Sequence, residues 1–292
     1  MGTWKVSKEH SGLSLQAFLK EQLGVGISSK QIKRSIDAGK CLLNGQAERF
    51  GSRPVGTGDK VEFNASTPTV EDAVDSANIL YVDEVVIAYN KPPGVLSDSV
   101  SLAGALKKQF GDVILLHRLD KETSGVLLFA RTPSAAEAIE TLFKKRLVHK
   151  TYLAMIDGVP AKVSGVIDNY LGKISTFQGQ TLWGAVPKER GLHARTDWHI
   201  EKKGEEAALL VCYPQTGRTH QIRVHLSGMG HAILGDHQYG RTFRCRYQAP
   251  RILLHAAEVV FDHPVNKKQL KISAPLPEDF QKTINELISE DG

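Results

Sequence analysis

Two features are scarce in this sequence: cysteine and long apolar runs. Three cysteines stand far apart among 292 residues and lack the short paired spacings of a zinc site, so they predict free thiols in a reducing compartment. The longest apolar runs, such as Ala207 to Tyr213, are far shorter than the roughly 20 residues that a membrane helix requires. The stretch from Met1 to His10 has no apolar segment of signal-peptide length. The sequence therefore predicts a cytoplasmic protein with no part in a membrane.

A strong excess of one charge is also missing. The chain has 37 basic and 32 acidic residues, a formal charge of +5, which permits a polyanionic partner but does not establish one. The balance changes along the chain, because Ser66 to Val86 holds five acidic residues and no basic one, with Pro68 among small polar residues. We interpret this change as a boundary, and we predict a small basic module over residues 1–65, a linker over 66–78 and a larger domain over 79–292.

Two helices are predicted in the first module. Apolar residues from Leu15 to Leu23 fall on one helical face, and Gly24 is placed to end that helix. A second helix is predicted to begin at Ser28 or Ser29 and to stop at Gly39, with an apolar inner face. Its basic side chains are expected to project from the other faces: Lys30, Lys33 and Arg34.

A small hairpin sheet is predicted to follow the two helices. Cys41 to Asn44 is typical of a short strand entering an Asn-Gly turn, and Gly58 to Phe63 of a turn followed by an alternating strand. This order of elements resembles, over about 50 residues, the small RNA-binding domain named for ribosomal protein S-four. The resemblance implies that the basic helix contacts RNA. The alternative is a helix-hairpin domain whose charged face is only solvated.

The larger domain is predicted to be rich in strands. Apolar runs of strand length occur at residues 79–90, 113–116, 125–130, 148–156, 195–199, 207–213 and 252–261. Helical spacing occurs from Ser134 to Arg146 and near Thr219 to Ser227, where Gly228 would end the helix. Many strands with few, scattered helices predict an α+β domain built on a mostly antiparallel, mixed sheet.

Two polar segments of this domain are candidates for chemistry. The first, from His117 to Gly125, is a polar loop between two apolar strands, which is a rigid mount for catalytic groups. The second, from Thr216 to Leu226, packs two arginines and two histidines into a helix and its lead-in. Arg223 would lie at the margin of the core there, and an arginine so placed needs a carboxylate partner. Tyr152, on a separate strand, offers a phenol that can stack on a ring or transfer a proton.

Four motifs follow one another along the domain. They are His117-Arg-Leu-Asp120-x-x-Thr-Ser-Gly125, Lys150-Thr-Tyr152, Gly217-Arg-Thr-His-Gln-Ile-Arg223-Val-His225 and Leu254-His255-Ala256, with Asn90-Lys-Pro-Pro-Gly94 ahead of them. In this order they resemble the RluA family of pseudouridine synthases, over essentially all of Tyr81 to Pro277. The resemblance implies that the chain isomerises chosen uridines in RNA. In that family an S-four-like module is a frequent companion of the catalytic domain.

The resemblance also assigns roles to particular residues. It implies that Asp120 is the catalytic carboxylate, which in its ionised form attacks the sugar or base or removes a ribose proton. Arg223 is implied as the partner that keeps Asp120 charged, and Tyr152 as the residue that packs under the target base and takes the C5 proton. Arg118 is expected to fill the gap left by the extracted base. The isomerisation involves no net redox change, so it requires no metal or cofactor.

Further RNA contacts are expected from basic residues near these motifs. Arg218 lies within the third motif. The stretch from Arg241 to Tyr247, extended by Arg251, has four arginines, two aromatic residues and no acid, a mixture that suits phosphates and stacked bases. From this stretch we expect Arg241 and Arg244 to contact RNA, with a solvated loop as the alternative. A neighbouring basic group can extend the same surface: Lys144, Lys145, Arg146 and Lys150.

Other interpretations of these residues stay open at the level of sequence. Asp120 and Arg223 can form an ion pair with a structural duty only, and a strand tyrosine such as Tyr152 usually serves packing. His220 and His225 share no metal-binding face and lack a third ligand, so they are expected to be structural hydrogen-bond partners. The carboxylates of the first motif are poorly spaced for a glycosidase, and the Gly-x-Ser-x-Gly elbow of a serine hydrolase does not occur. The stronger rival is a non-catalytic RNA-binding factor of ribosome assembly.

The expected partner is RNA. Members of the family that carry the extra module mostly act on large-subunit ribosomal RNA, so this RNA is the leading substrate and transfer RNA is the alternative. No apolar stripe calls for a partner chain, which predicts a monomer.

Overall fold

The chain divides into two compact units, Met1–Val74 and Asp75–Gly292. The computed structural model describes residues 2–24, 27, 29–37, 39–64, 76–97, 102–177, 180–240 and 242–288. Most of the predicted linker, residues 66–78, lies outside these ranges. Within them, no helix is long and apolar enough to cross a membrane.

The N-terminal unit contains two helices and a small antiparallel sheet. The helices are α1 (Leu15–Leu23) and α2 (Ser29–Asp37), and the strands are β1 (Gly2–Lys5), β2 (Cys41–Leu43), β3 (Gln46–Glu48) and β4 (Lys60–Phe63). The strands lie in the order β1-β4-β2-β3. Both predicted helices and the β2–β3 hairpin are confirmed, whereas β1 is not foreseen in the sequence. Helix α1 begins where Ser14 Oγ accepts a hydrogen bond from the Ala17 N–H, and its buried face packs with that of α2 in one apolar core.

The C-terminal unit is dominated by one large mixed sheet. Its strands are β5 (Ile79–Val82), β6 (Val86–Lys91), β7 (Ile114–Leu115), β8 (Ser124–Ala130), β9 (His149–Asp157), β10 (Ser164–Phe177), β11 (Gln180–Ala185), β12 (Leu192–Lys203), β13 (Ala207–Pro214), β14 (Leu254–Asp262) and β15 (Gln269–Ser273). Its helices are α3 (Leu102–Phe110), α4 (Pro133–Lys144), α5 (Gln221–Gly228) and α6 (Glu278–Leu287).

The order of strands brings the predicted motifs together. It runs β11-β10-β12-β13-β9-β14-β8-β6-β5, with β15 beside β14 and β7 beside β8. The pairing of β14 with β8 is parallel, whereas the neighbouring β14–β9 and β6–β8 pairs are antiparallel. The prediction of an α+β fold with a mostly antiparallel, mixed sheet is therefore confirmed. Strands β9, β14 and β8, which follow or carry three of the motifs, are direct neighbours in the middle of the sheet.

Two apolar cores flank this central part of the sheet. One is formed by β9, β13 and β14 with residues of α5 and α6, and the other by β6, β8, β14 and α4. Strand β8 is buried along its whole length. A strand covered on both faces has a continuous apolar sequence, which explains why β8 lacks the alternation of a half-exposed strand.

Several elements were not foreseen, and most of them lie at the margins of the sheet. Strand β10 is half-exposed, and its sequence has no clean alternation of apolar and polar residues. It forms because its backbone pairs with β12 on one side and β11 on the other. Local residue patterns do not carry that information, which comes from partners distant in the chain.

Candidate active site

A polar loop holds Asp120 between two strands. Residues 116–123 connect β7 to the fully buried β8. The Asp120 carboxylate is 27% exposed, so it is open to a ligand while one side faces the protein. The Asp120 carbonyl accepts a hydrogen bond from the Thr123 N–H at 3.1 Å, which closes a turn. The loop is thus mounted on the core strands, as the sequence predicts.

A close approach of two backbones fixes the end of this loop. Gly125 has a φ of +110°, and a Cβ atom there would lie 2.1 Å from the backbone oxygen of Ala256 on β14. Glycine is therefore required both by conformation and by space. Next to it, Ser124 Oγ and His255 Nδ1 are 2.9 Å apart in the interior. The motif around His255 thus acts as a structural support for the loop that carries Asp120.

A buried lysine attaches the loop to β6. The Nζ of Lys91 donates hydrogen bonds of 2.9–3.0 Å to three backbone carbonyls, those of Pro92, Val95 and Lys121. The Gly94 N–H donates to the Lys121 carbonyl at 2.8 Å. These bonds join the turn after β6 to the residue that follows Asp120, and they give the Asn90–Gly94 motif a structural role.

Arg251 is an internal clamp rather than an RNA contact, and the expectation that it extends a basic RNA-binding stretch is wrong. Its side chain is 1% exposed and forms a bidentate pair with Asp279 in the first turn of α6, with distances of 2.7 and 2.8 Å. Its Nη1 donates to the carbonyls of Glu122, at 3.3 Å, and Ile252. A guanidinium buried in this way has no surface left for a phosphate.

Arg223 on α5 is the centre of the candidate site. Its Nη1 donates to Asp120 Oδ2 at 3.1 Å, as the sequence predicts for a buried arginine that needs a carboxylate. Its Nε and Nη2 donate to the two oxygens of Asp236 at 2.7 and 2.9 Å, and Nη2 also donates to Gln238 Oε1 at 2.8 Å. We call Asp120, Arg223, Asp236 and Gln238 the Arg223 cluster.

The electrostatics of this cluster favour the charged form of Arg223. Burial disfavours that charge, but Asp236 and then Asp120 more than offset this and raise the pKa of Arg223 above its ordinary value. Asp120 is the more exposed of the two carboxylates that the guanidinium contacts. Asp236 is not foreseen in the sequence. The signal that points to it is the number of donors, because a buried guanidinium has five N–H groups and one carboxylate cannot satisfy them.

A histidine lies on the other side of Asp120. The Tyr239 hydroxyl accepts a hydrogen bond from the Trp183 N–H at 3.2 Å and lies 2.7 Å from His220 Nδ1. Burial, then the charge of Arg223, lowers the pKa of His220, which favours the neutral ring. Its Nε2 lies 3.8 Å from Asp120 Oδ1. Asp120 is therefore faced by the Arg223 cation at one oxygen and by an imidazole ring at the other.

The lead-in to α5 is locked by Gln221. Its Oε1 accepts from Thr216 Oγ1 at 2.6 Å and from the Arg218 N–H at 3.0 Å. Arg218 lies half-buried, and its Nε donates to the His193 carbonyl at 2.9 Å. Part of the Arg218 guanidinium is thus used inside the protein, and its expected contact with RNA stays a prediction. His220 adopts a φ of 55° at the helix start, a conformation this network holds in place.

Tyr152 lies on β9, opposite Ala256 of β14 and Cys212 of β13. Burial, then the negative charge of Asp120, raises the pKa of the Tyr152 phenol above its ordinary value. The phenol is therefore neutral near pH 7, which suits packing against a base better than removal of a proton.

The other predicted RNA contacts are distributed over both units. Arg118, Arg244 and Lys33 are exposed. The side chains of Lys30 and Arg34 and all of Arg241 lie outside the described part of the structure. His225 bonds with Thr196 Oγ1 at 2.9 Å and Asn169 Oδ1 at 3.1 Å, the structural role expected of it. In the described ranges, no three His, Cys, Asp or Glu side chains are grouped as ligands of a metal ion.

Comparison with known proteins places these residues in a family. A family model described as RNA pseudouridylate synthase matches residues 85–228, the range that contains Asp120, Tyr152 and Arg223. The chain is 35% identical over 243 residues to ribosomal large subunit pseudouridine synthase C of Haemophilus ducreyi, covering 79% of this chain and 75% of the relative. It is 33% identical over 222 residues to the dual-specificity RNA pseudouridine synthase RluA of Vibrio vulnificus, covering 72% and 86%.

Solved structures agree with the sequence comparison. Human RNA pseudouridylate synthase domain containing 4 superposes with a TM-score of 0.61 at 27% identity, over 72% of this chain and 92% of that chain. Human RNA pseudouridylate synthase domain containing 1 gives a TM-score of 0.60 at 28% identity, over 72% and 85%. The fold, the ordered motifs and the relatives agree, and the chain belongs to the RluA family of RNA pseudouridine synthases.

Proposed function

We propose that this enzyme isomerises uridines of large-subunit ribosomal RNA and that Asp120 is its catalytic carboxylate. The observation that carries the assignment is the position of Asp120, which is partly exposed on an anchored loop and 3.1 Å from the buried Arg223. A carboxylate held charged and open to a ligand is the group that this reaction needs.

The reaction is balanced without any co-reactant. The bond between ribose C1′ and uracil N1 breaks, the base turns, and a bond forms between C1′ and C5. The hydrogen on C5 leaves as a proton, and N1 gains one. Asp120 assists as a nucleophile toward the sugar or the base, or by removing a ribose proton, and each of these roles uses its ionised form.

Neighbouring side chains take the supporting roles. Arg223 keeps the carboxylate charged and fixes one of its oxygens, and the neutral phenol of Tyr152 packs under the target base. Arg118, exposed two residues before Asp120, fills the space that the extracted base leaves. Arg218 and Arg244 contact the RNA backbone.

Ribosomal RNA is favoured as the substrate by the names of relatives. Synthase C of Haemophilus ducreyi and synthase D of Zymomonas mobilis are both named for the ribosomal large subunit. The N-terminal unit, with an exposed Lys33 on α2, acts in this proposal as an S-four-like module that holds the RNA. We also propose a monomer in the cytoplasm, whose reducing conditions suit the three free cysteines.

The test is tritium release from cellular RNA labelled at uracil C5, with ribosomal and transfer RNA assayed separately. We expect the wild-type protein to release tritium from large-subunit ribosomal RNA, because the new C–C bond expels the C5 hydrogen. Asp120→Asn should bind the same RNA and release none above background, a loss of at least about 1000-fold. The neighbouring change Lys121→Gln is the control for a local disturbance of the loop.

The outcomes separate the parts of the proposal. Release from transfer RNA alone would overturn the substrate and keep the chemistry. Release by Asp120→Asn at the wild-type rate would overturn the role of Asp120.

A further inference from the structure

A small pocket at the start of β9 is lined by cations that form no ion pair with a carboxylate of the described residues. It has a volume of about 120 Å³ and is lined by Arg146, Val148, His149, Lys150, Tyr213, Pro214 and Gln215. We call it the Lys150 pocket. Across the described ranges, neither Arg146 nor Lys150 pairs with a carboxylate within 4.0 Å. The segment from Phe143 to Tyr152 also contains no acidic residue.

Lys150 is the informative member of this pocket because it is partly buried. Its Nζ donates to the Thr216 carbonyl at 3.4 Å, a long hydrogen bond that leaves other N–H groups free for a ligand. Burial lowers the pKa of Lys150 to about 8, which means that the charged form is destabilised relative to water. Among the described residues, no carboxylate pairs with Lys150 to offset this. An anion that enters the pocket would recover that free energy.

The position of the pocket points to the substrate as the source of the anion. Lys150 and Tyr152 are two residues apart on β9, so their side chains leave the same face of the strand about 7 Å apart. A nucleotide next to the uridine that lies on Tyr152 would bring its phosphate to this distance. The pocket and the catalytic residues are thus spaced for one continuous RNA strand.

We propose that the Lys150 pocket binds a backbone phosphate of the substrate RNA, adjacent to the target uridine, through Lys150 and Arg146. The inference rests on the proposed function of Asp120 and Tyr152, and it adds a contact that sets the position of the RNA strand on one side of the site.

The experiment measures RNA binding and turnover as two separate quantities. The protein is titrated with unmodified, in-vitro-transcribed large-subunit ribosomal RNA at several salt concentrations, and tritium release gives kcat and KM. The variants are Lys150→Gln, Arg146→Gln and Lys150→Arg. Lys162→Gln is the matched control, because Lys162 is an exposed lysine beyond the opposite end of β9.

We expect Lys150→Gln to weaken RNA binding and raise KM by up to about tenfold, and to reduce the salt slope of binding by roughly 0.7–0.9. Arg146→Gln should do the same to a smaller extent. The kcat at saturating RNA should stay within about twofold of wild type, since the contact is made equally in the ground state and the transition state. Lys150→Arg, which keeps the charge, should restore the salt slope, and Lys162→Gln should match wild type.

Three results would overturn the inference. One is an unchanged salt slope in Lys150→Gln. A second is a loss of kcat with unchanged KM, which would make Lys150 a support for the Thr216 loop only. The third comes from a separate titration with inorganic phosphate: if Lys150→Gln loses phosphate binding but keeps wild-type RNA binding, the pocket belongs to a free anion. Because the salt slope needs no turnover, a wild-type protein that releases no tritium would contradict the proposed function without deciding this inference, which the slope still tests.

Discussion

The Arg223 cluster and the Lys150 pocket are two cationic regions of the same domain that treat charge in opposite ways. In the cluster, every acceptor around the guanidinium is supplied by the protein: two carboxylates and one amide oxygen within 3.1 Å. In the pocket, Lys150 contacts only a backbone carbonyl at 3.4 Å, and no described carboxylate pairs with it or with Arg146.

This difference separates positioning from binding. A buried cation that the protein neutralises itself has little left to offer a ligand, but its geometry is fixed, and it can hold a catalytic carboxylate in place. A cation without an anionic partner in the protein does little to fix the structure around it. It can still form a favourable electrostatic interaction with the substrate. Loss of a carboxylate from the Arg223 cluster should therefore lower kcat, and loss of the Lys150 charge should lower RNA affinity.

The largest effect is expected from Asp236→Asn, which removes the carboxylate that accepts two hydrogen bonds from Arg223. Asparagine has one accepting oxygen and no negative charge, so it cannot replace the two hydrogen bonds that Asp236 accepts from Arg223. The guanidinium should then shift and lose its contact with Asp120. We expect kcat to fall by about 100-fold and the free energy of unfolding to fall by about 3 kcal/mol, with RNA affinity nearly unchanged. Tritium release and urea denaturation measure these quantities.

Asp279→Asn is the matched control for that variant. It removes the carboxylate of a second bidentate pair, that of Arg251, which supports the core behind the catalytic loop. It should lower stability by a similar amount and kcat much less. Equal losses of kcat in the two variants would show that Asp236 acts through general stability.

An intermediate effect is expected from a change of pH. It should act on RNA affinity through the Lys150 pocket and leave the Arg223 cluster unchanged. The pKa of Lys150 is lowered to about 8, so in the free enzyme the side chain is mostly charged at pH 7 and mostly neutral at pH 9. RNA affinity should therefore fall by up to about tenfold over this range, as about one pH unit above the pKa leaves one charged side chain in ten. Burial, then the charge of Lys150, lowers the pKa of the nearby His117 to about 3, so that ring does not change its charge over this range.

Lys150→Arg provides the comparison, because an arginine keeps its charge throughout this range. Binding titrations at pH 7 and pH 9 should show a flat profile for the variant and a falling one for wild type. Identical profiles would assign the pH dependence to another group.

The smallest effect is expected from Tyr239→Phe, which leaves the carboxylates of the Arg223 cluster in place and removes one hydroxyl. The ring stays 4.9 Å from the Arg223 guanidinium, whereas the hydrogen bonds of the hydroxyl with His220 Nδ1 and the Trp183 N–H are lost. We expect kcat to fall about fivefold with unchanged RNA affinity. Tyr247→Phe, which removes a hydroxyl bonded to Thr283 Oγ1, is the control and should keep the wild-type rate.

The sequence predicts the parts of this molecule that depend on local patterns. The faces of α1 and α4, the strands β8 and β13 and the α+β class follow from periodicity and from turn residues. The need of Arg223 for a carboxylate follows from its place beside Ile222. These inferences succeed because each uses residues within one or two turns of chain.

The sequence does not predict features that depend on distant partners. Asp236 and Tyr239 lie in a loop with no periodicity, and their roles appear only once α5 places Arg223 and His220 above them. Arg251 has the composition of an RNA contact, but the fold pairs it with Asp279, 28 residues later. The packing of the sheet decides which arginines are buried, and the composition of a segment does not show this.

The parallel contact of β8 with β14 has a consequence for the synthesis of the protein. Gly125 and Ser124, at the end of the Asp120 loop, receive their neighbours Ala256 and His255 only 131 residues later in the chain. While the ribosome is still making the intervening residues, the loop lacks its neighbours on β14, so we expect it to become ordered late in synthesis. Limited proteolysis of stalled nascent chains, with and without β14, would measure this delay. The loop that carries Asp120 is therefore completed only when translation of the domain is nearly finished.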